Sequence, residues 1–172
     1  MKNFPQVLSL LTPLLLGAHG ICAKETSQPQ VDGWTSASTI FYYQQSTLQG
    51  EALWQAIREM RAAVMIATVN PDGSANGAVI RPGISGDNQY LMFGLGHNQT
   101  GQNFRTGKPA IIVVYQYQPD EPEKFKRNQG ARLEIQYVSD PELIARLKAE
   151  NKAHGADDNT TFMKINRVFP LG

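Results

Sequence analysis

A chain of 172 residues, 41% hydrophobic and 18% charged, has the composition of a globular protein with one sizeable core and not of a disordered one. Sixteen basic and fifteen acidic side chains leave a formal charge of +1, with no long run of one sign to make a polyanion-binding face. Nucleic acid is therefore not an expected partner.

The amino end has its own pattern: Lys2, an almost wholly apolar run over residues 7–16, then small residues at Ala18, Gly20 and Ala23. That order is the one a secretory signal needs. The run contains Pro13 and falls short of the roughly 20 apolar residues of a spanning helix, so no permanent membrane span is expected. Residues 1–23 read as a signal peptide cleaved after Gly20 or Ala23, and the protein as exported, periplasmic or secreted. Two alternatives stand beside this: an uncleaved terminus on a cytoplasmic protein, and lipidation at Cys22, for which Ile21 is a poor preceding residue. Cleavage behind Ala23 removes the single cysteine, leaving no disulfide, thiolate metal site or cysteine nucleophile.

Residues 24–50, rich in Ser, Thr, Gln and Gly, read as a polar arm. Leu53, Trp54, Ile57 and Met60 recur at spacings of three and four, which predicts a helix over 51–61 with one apolar face, covering a barrel end. Residues 62–69 form a short apolar strand, turned by Asn70-Pro71-Asp72-Gly73 into a second strand over 74–81. Pro82 and Gly83 end it, residues 84–88 turn, and 89–95 make a third strand, so that the first three strands read as a meander. Residues 98–107 have a helix-start residue and a closing glycine, and 110–117 are a β-branched fourth strand. Pro119 and Pro122 make 118–128 an exposed loop. Residues 131–138 alternate Leu133, Ile135 and Tyr137 against Arg132, Glu134 and Gln136 as a fifth strand. Asp140 and Pro141 then open a helix whose apolar face is Leu143, Ile144 and Leu147. A polar loop over 154–160 leads to a sixth strand, 162–169. Six antiparallel strands favour a closed or partly closed barrel, mainly β with short accessory α-helices.

Hydrolytic machinery is not evident. His19, His97 and His154 are scattered, there is no HExxH, CxxC or G-x-S-x-G, and Asp157-Asp158 sits in a polar loop. No metal site is expected. The segment from Gly94 to Arg105 is the most suggestive, because a strand end feeds a helix start there. Gly94 and Gly96 let a flat ligand approach the backbone, and Thr100 and Asn103 lie one turn apart. The same residues also suit an ordinary capped helix with a solvated Arg105.

The order of these elements and their words resembles the FMN-binding split barrel of the pyridoxamine 5'-phosphate oxidase superfamily. The matching words are Ala-Thr-Val-Asn-Pro-Asp-Gly at 67–73, Tyr-Leu-Met-Phe-Gly at 90–94 and the helix with Thr100 and Asn103. Gly130-Ala131-Arg132, Val138-Ser139-Asp140-Pro141-Glu142-Leu143-Ile144 and the ending over 162–168 follow in order. The resemblance covers residues 51–172 and implies a six-stranded antiparallel split β-barrel. It implies a homodimer with FMN between subunits, its phosphate held by the segment containing Gln99, Thr100 and Asn103. The strand carrying Ser74 and Asn76 would line the isoalloxazine ring. Many members have Lys or Arg immediately before the position of Thr100, where this chain has Gln99. Arg81, Arg105 or a basic residue of the partner subunit are the candidates to replace that charge. Burying roughly 200 Å² of ring contributes about 5 kcal/mol, against about 0–1 kcal/mol for one surface ion pair, so ring burial decides binding.

The implied function is an FMN-dependent oxidoreductase or electron carrier with no assigned acid or base. Two others remain open. One is a non-enzymatic binding protein holding haem or another planar ligand, with His97 or His154 as the iron ligand. The other is a dimerising module with an empty groove. Export sits uneasily with a cytoplasmic cofactor, since the amino end lacks a twin-arginine pair.

Overall fold

The computed structural model describes residues 44–59 and 61–172. The expected signal peptide, the arm up to residue 43 and Met60 lie outside the described residues. The chain is mainly β, an antiparallel, strongly curled half-barrel of seven strands with short helices around it.

Helix α1, Gly50–Arg58, buries Leu53 and Ile57 of the predicted apolar face together with Ala56, while Trp54 is partly buried. Burying a Leu or Ile side chain contributes about 1.5–3 kcal/mol, so this face docks the helix although Gln49 supplies no side-chain cap. Strands β1, Ala63–Val69, and β2, Ala75–Val79, form the expected hairpin, with Met65 opposite Val79 and Val69 opposite Ala75. Its turn is closed by Asn70 N–H to the Ser74 carbonyl and Gly73 N–H to the Asn70 carbonyl, and Gly73 takes φ +86°, a conformation that glycine tolerates without a Cβ clash.

The expected meander is not formed. A two-residue strand β3, Gly83–Ile84, pairs with β4, Tyr90–Gly94, and β4 pairs with the last strand instead of with β2. The sheet order is β2-β1-β5-β6-β7-β4-β3, with β5 at Ala110–Tyr117, β6 at Asn128–Tyr137 and β7 at Thr160–Phe169. Seven strands therefore replace the six expected, because Gly83 and Ile84 continue past Pro82 into a short pairing. The fifth expected strand also starts earlier, at Asn128, after a four-residue helix α3, Lys124–Arg127, inside the expected loop; helix α2, Gln99–Arg105, lies between β4 and β5.

One core runs from Leu53 and Ile57 through Ile66, Leu91, Phe93, Ile112, Leu133 and Ile135, with Phe104 against Phe93 at 5.6 Å between ring centroids. A second cluster, with Tyr90, Met92, Val138, Leu147 and Phe162, lies under helix α4, Pro141–Glu150, whose Glu142 N–H is capped by Asp140 as predicted. The end of the arm lies along β6: Leu48 N–H donates to the Gly130 carbonyl at 2.7 Å and Gly130 N–H to the Ser46 carbonyl at 3.0 Å. A Cβ at Gly130 would stand 2.2 Å from the Val114 carbonyl oxygen, so only glycine permits this close approach. Among the described residues, no helix is long and apolar enough to cross a membrane.

Candidate functional site

Strand β1 alternates strictly, with Val64, Ile66 and Thr68 turned inward. An inward threonine in an otherwise apolar row needs partners, and helix α2 supplies them. Asn103 Nδ2 donates to Thr68 Oγ1 and to Asn70 Oδ1, both at 2.9 Å. Asn76 Nδ2 donates to Thr68 Oγ1 at 3.0 Å and to Thr100 Oγ1 at 3.1 Å. Gln99 Nε2 donates to Asn103 Oδ1 at 2.8 Å, and Asn70 Nδ2 to Ser74 Oγ at 3.0 Å. Ser74 Oγ and N–H in turn donate to Asp72 Oδ1, holding that carboxyl below its usual range.

Five of the seven site residues expected from sequence, Gln99, Thr100, Asn103, Ser74 and Asn76, thus meet in one hydrogen-bond network that pins α2 to the hairpin. Thr100 and Asn103 are buried at its centre, already satisfied by protein groups. Sequence reasoning missed Thr68 and Asn70. The inward position of Thr68 in the alternating row was the available signal.

Arg81 and Arg105 are not part of this network. Arg105 Nη1 donates to the Gly101 carbonyl at 3.0 Å and the side chain stands at the rim of a cleft of about 720 Å³. Its walls come from four elements: Gly94 to His97 after β4, Tyr137 and Val138 at the end of β6, Ile144 of α4, and the Asp157–Phe162 segment leading into β7. This size falls within the range of small-molecule and cofactor sites. Gly94 and Gly96 have open space where a Cβ would stand, so the rim accepts a ligand directly against the backbone. Asp157 Oδ1 accepts from Thr160 Oγ1 and Asn159 N–H, both at 2.9 Å, and Asp158 pairs with Lys148 at 3.7 Å.

The two histidines within the described residues are separated. His97 lines the large cleft, whereas His154 lies with Arg81 in two smaller cavities beside β3. No group of three or more His, Cys, Asp or Glu is arranged to hold a metal among the described residues.

The outer face of the hairpin is apolar and open. Met65, Val69 and Val79 are exposed to 54%, 42% and 78% on the side opposite Thr68 and Asn76.

No family model matches the chain, and no curated protein matches it. Solved structures similar to it include an FMN-binding protein from Syntrophomonas wolfei, at 20% identity over 71% of this chain and 85% of that one, with a TM-score of 0.49. An F420 reductase aligns at 15% identity over 66% of this chain and 94% of the other, with a TM-score of 0.42. HutZ, the heme storage protein from Vibrio cholerae, aligns at 12% identity over 67% and 90%, with a TM-score of 0.41.

Proposed function

We propose that this chain is an FMN-binding flavoprotein, an oxidoreductase or electron carrier acting as a homodimer. The observation that supports this reading is the large cleft beside α2, with open space at Gly94 and Gly96 and with Val138, Ile144 and Phe162 among its lining residues. A flat ring held in that cleft loses water from its face, worth about 5 kcal/mol where roughly 200 Å² is covered. Arg105 at the rim offers a guanidinium to a phosphate in place of the charge that Gln99 lacks, and Thr161 offers a hydroxyl. The carboxylates of Asp157 and Asp158 line the same cleft, and of the two only Asp158 has a cationic partner, Lys148 at 3.7 Å. A bound flavin supplies the hydride or electron transfer; the chain's part is to hold it and exclude water. In this reading the Thr68–Asn76–Thr100–Asn103 network positions α2, and thereby the cleft wall, instead of touching the ligand. Titrating the purified protein with FMN tests the reading: Arg105→Gln is expected to weaken binding about tenfold, the loss of one charge-assisted contact. Equal affinity in the two proteins would remove Arg105 from the site.

The exposed hairpin face supports the dimer, since a contiguous apolar face of this kind is suited to a two-fold contact with a second copy. Sedimentation of Val79→Lys is expected to give a monomer. A dimer retained in this variant would contradict the assigned face.

His97 on the cleft rim favours a second reading, haem or another planar ligand held for storage or transport. A Soret band lost in His97→Ala supports it, and no spectral change on haem addition ends it. Export remains part of the proposal, tested by mass spectrometry of the native amino terminus: a chain starting at Ile21 or Lys24 agrees with it, and one that retains residues 1–23 opposes it.

A further inference from the structure

Arg81 was expected to serve the α2 site, yet the fold carries it elsewhere, and its new surroundings have a chemistry of their own. A groove of about 350 Å³ is lined by Ile57 and Arg58 of α1, Arg81, Pro82, Gly83 and Ile84 at β3, and His154. Two guanidinium groups and an imidazole thus share one concavity with no Asp or Glu among its lining residues.

Each of the three side chains reaches the groove from a different element. Arg58 is anchored, with Nη1 donating to Glu51 Oε1 at 2.8 Å and Nη2 to Asn88 Oδ1. Its charge is partly compensated by that carboxylate. Arg81 has no hydrogen-bond or ion-pair partner among the described residues, so its donors are available to a ligand. His154 is seated by the backbone: a Cβ on Gly86 would lie 2.8 Å from its Nε2, so the imidazole occupies the space that glycine leaves. The two loops that bring them together are tied by Gly86 N–H donating to Asn151 Oδ1 at 2.9 Å, and Asn151 is itself buried. Past Arg81 and His154 a second, smaller cavity runs along Met92 and Phe93 to Gly94 and Thr160, which also line the large cleft. The one carboxylate on that path, Asp157, accepts hydrogen bonds from Thr160 and Asn159.

The geometry points to this groove as an oxyanion-binding site, in which Arg81 and His154, backed by Arg58, take the phosphate or carboxylate group of a small molecule. Planar guanidinium donors match both groups, and with Arg58 partly compensated by Glu51 and no carboxylate lining the groove itself, Arg81 is the donor that favours an anion over water. The inference is independent of the flavin reading, because the groove lies at β3 and involves neither Arg105 nor α2.

Two-dimensional ¹H–¹⁵N NMR of the purified protein tests it, with inorganic phosphate and acetate titrated in parallel at constant ionic strength. Saturable shifts are expected at the Gly83, Gly86 and Gly155 amides with at least one of the two anions, the better one naming the headgroup. Arg81→Gln is expected to weaken binding about tenfold. Gly86→Ala, which displaces the imidazole without removing it, should weaken binding as well. Lys126→Gln removes an equal charge from a distant surface and should leave the affinity unchanged. Absence of saturable shifts with both anions, or equal losses in Arg81→Gln and Lys126→Gln, would overturn the proposal.

Discussion

Replacing Asn103 by alanine cuts the centre of the network that holds α2 against the β1–β2 hairpin. Asn103 is 3% exposed and its amide makes two 2.9 Å bonds, to Thr68 Oγ1 and Asn70 Oδ1, besides accepting one from Gln99. Each buried bond is worth about 1 kcal/mol net. The Gln99 bond reaches an exposed side chain that water can satisfy, so it adds little. Thr68 Oγ1 keeps its bond from Asn76 and Asn70 is half-exposed, so neither is left orphaned. The expected loss is about 2 kcal/mol, a fall in Tm of roughly 6–10 °C for a domain of this size. Urea unfolding should show a lower midpoint with an unchanged slope. Gln99→Ala in parallel should lie within about 0.5 kcal/mol of the parent. Asn103→Asp sharpens the test, since it turns the two donor contacts into oxygen against oxygen. Burial raises the folded-state pKa of such a carboxyl, so its penalty should be least in acid and grow as pH rises through the unfolded value toward the folded one. An Asn103→Ala protein as stable as the parent would refute the view that this network fastens the helix.

Gly130→Ala should be among the most damaging single changes, costing more than about 3 kcal/mol, because the new Cβ meets the backbone carbonyl of Val114 at 2.2 Å and not a movable side chain; thermal melts and soluble yield measure it. Asp140→Ala removes the cap on Glu142 N–H and should cost about 1 kcal/mol by denaturant unfolding. Asp72 has a depressed folded-state pKa through its Ser74 hydrogen bonds, so its contribution is present above the unfolded value and lost as pH falls through the folded one. Asp72→Asn should flatten that part of the stability–pH curve, and an unchanged curve would show that the Ser74 contacts are not kept in solution.

Local chemistry explains which parts of the fold were readable. Asn70-Pro71-Asp72-Gly73 announces the hairpin, and Asp140-Pro141 announces α4, because the cap and the turn are decided by neighbours in sequence. The pairing of β4 with β7 was hidden, since an apolar strand such as Tyr90–Gly94 carries no mark of its distant partner, and a short connection suggested the preceding strand instead. Gly83–Ile84 is too short to show a period, and Asn128–Gln129 are polar enough to pass as loop although they pair with Tyr117 and Gln116.

The same division runs through the site. Gln99, Thr100 and Asn103 share a helix, and Ser74 and Asn76 share the second arm of the hairpin, so each group follows from local order while their meeting, across 24 positions from Asn76 to Thr100, does not. The burial of Thr100 and Asn103 under the hairpin depends on how α2 docks, which spacing does not encode. Arg81 and His154 come from loops distant in the chain, tied together by the Gly86–Asn151 hydrogen bond, whose partners are 65 positions apart. Only the folded sheet places them side by side.

The central claim is that the cleft bounded by Gly94, Gly96 and Phe162 holds a flavin. Its most direct test is an FMN titration of the purified protein, followed by removal of free cofactor, with Gly96→Val as the comparison. The parent is expected to retain flavin absorbance near about 450 nm, while the valine side chain, placed where Gly96 leaves open space, should abolish uptake without unfolding the protein. A parent protein that retains no flavin absorbance after exposure to FMN would contradict the account.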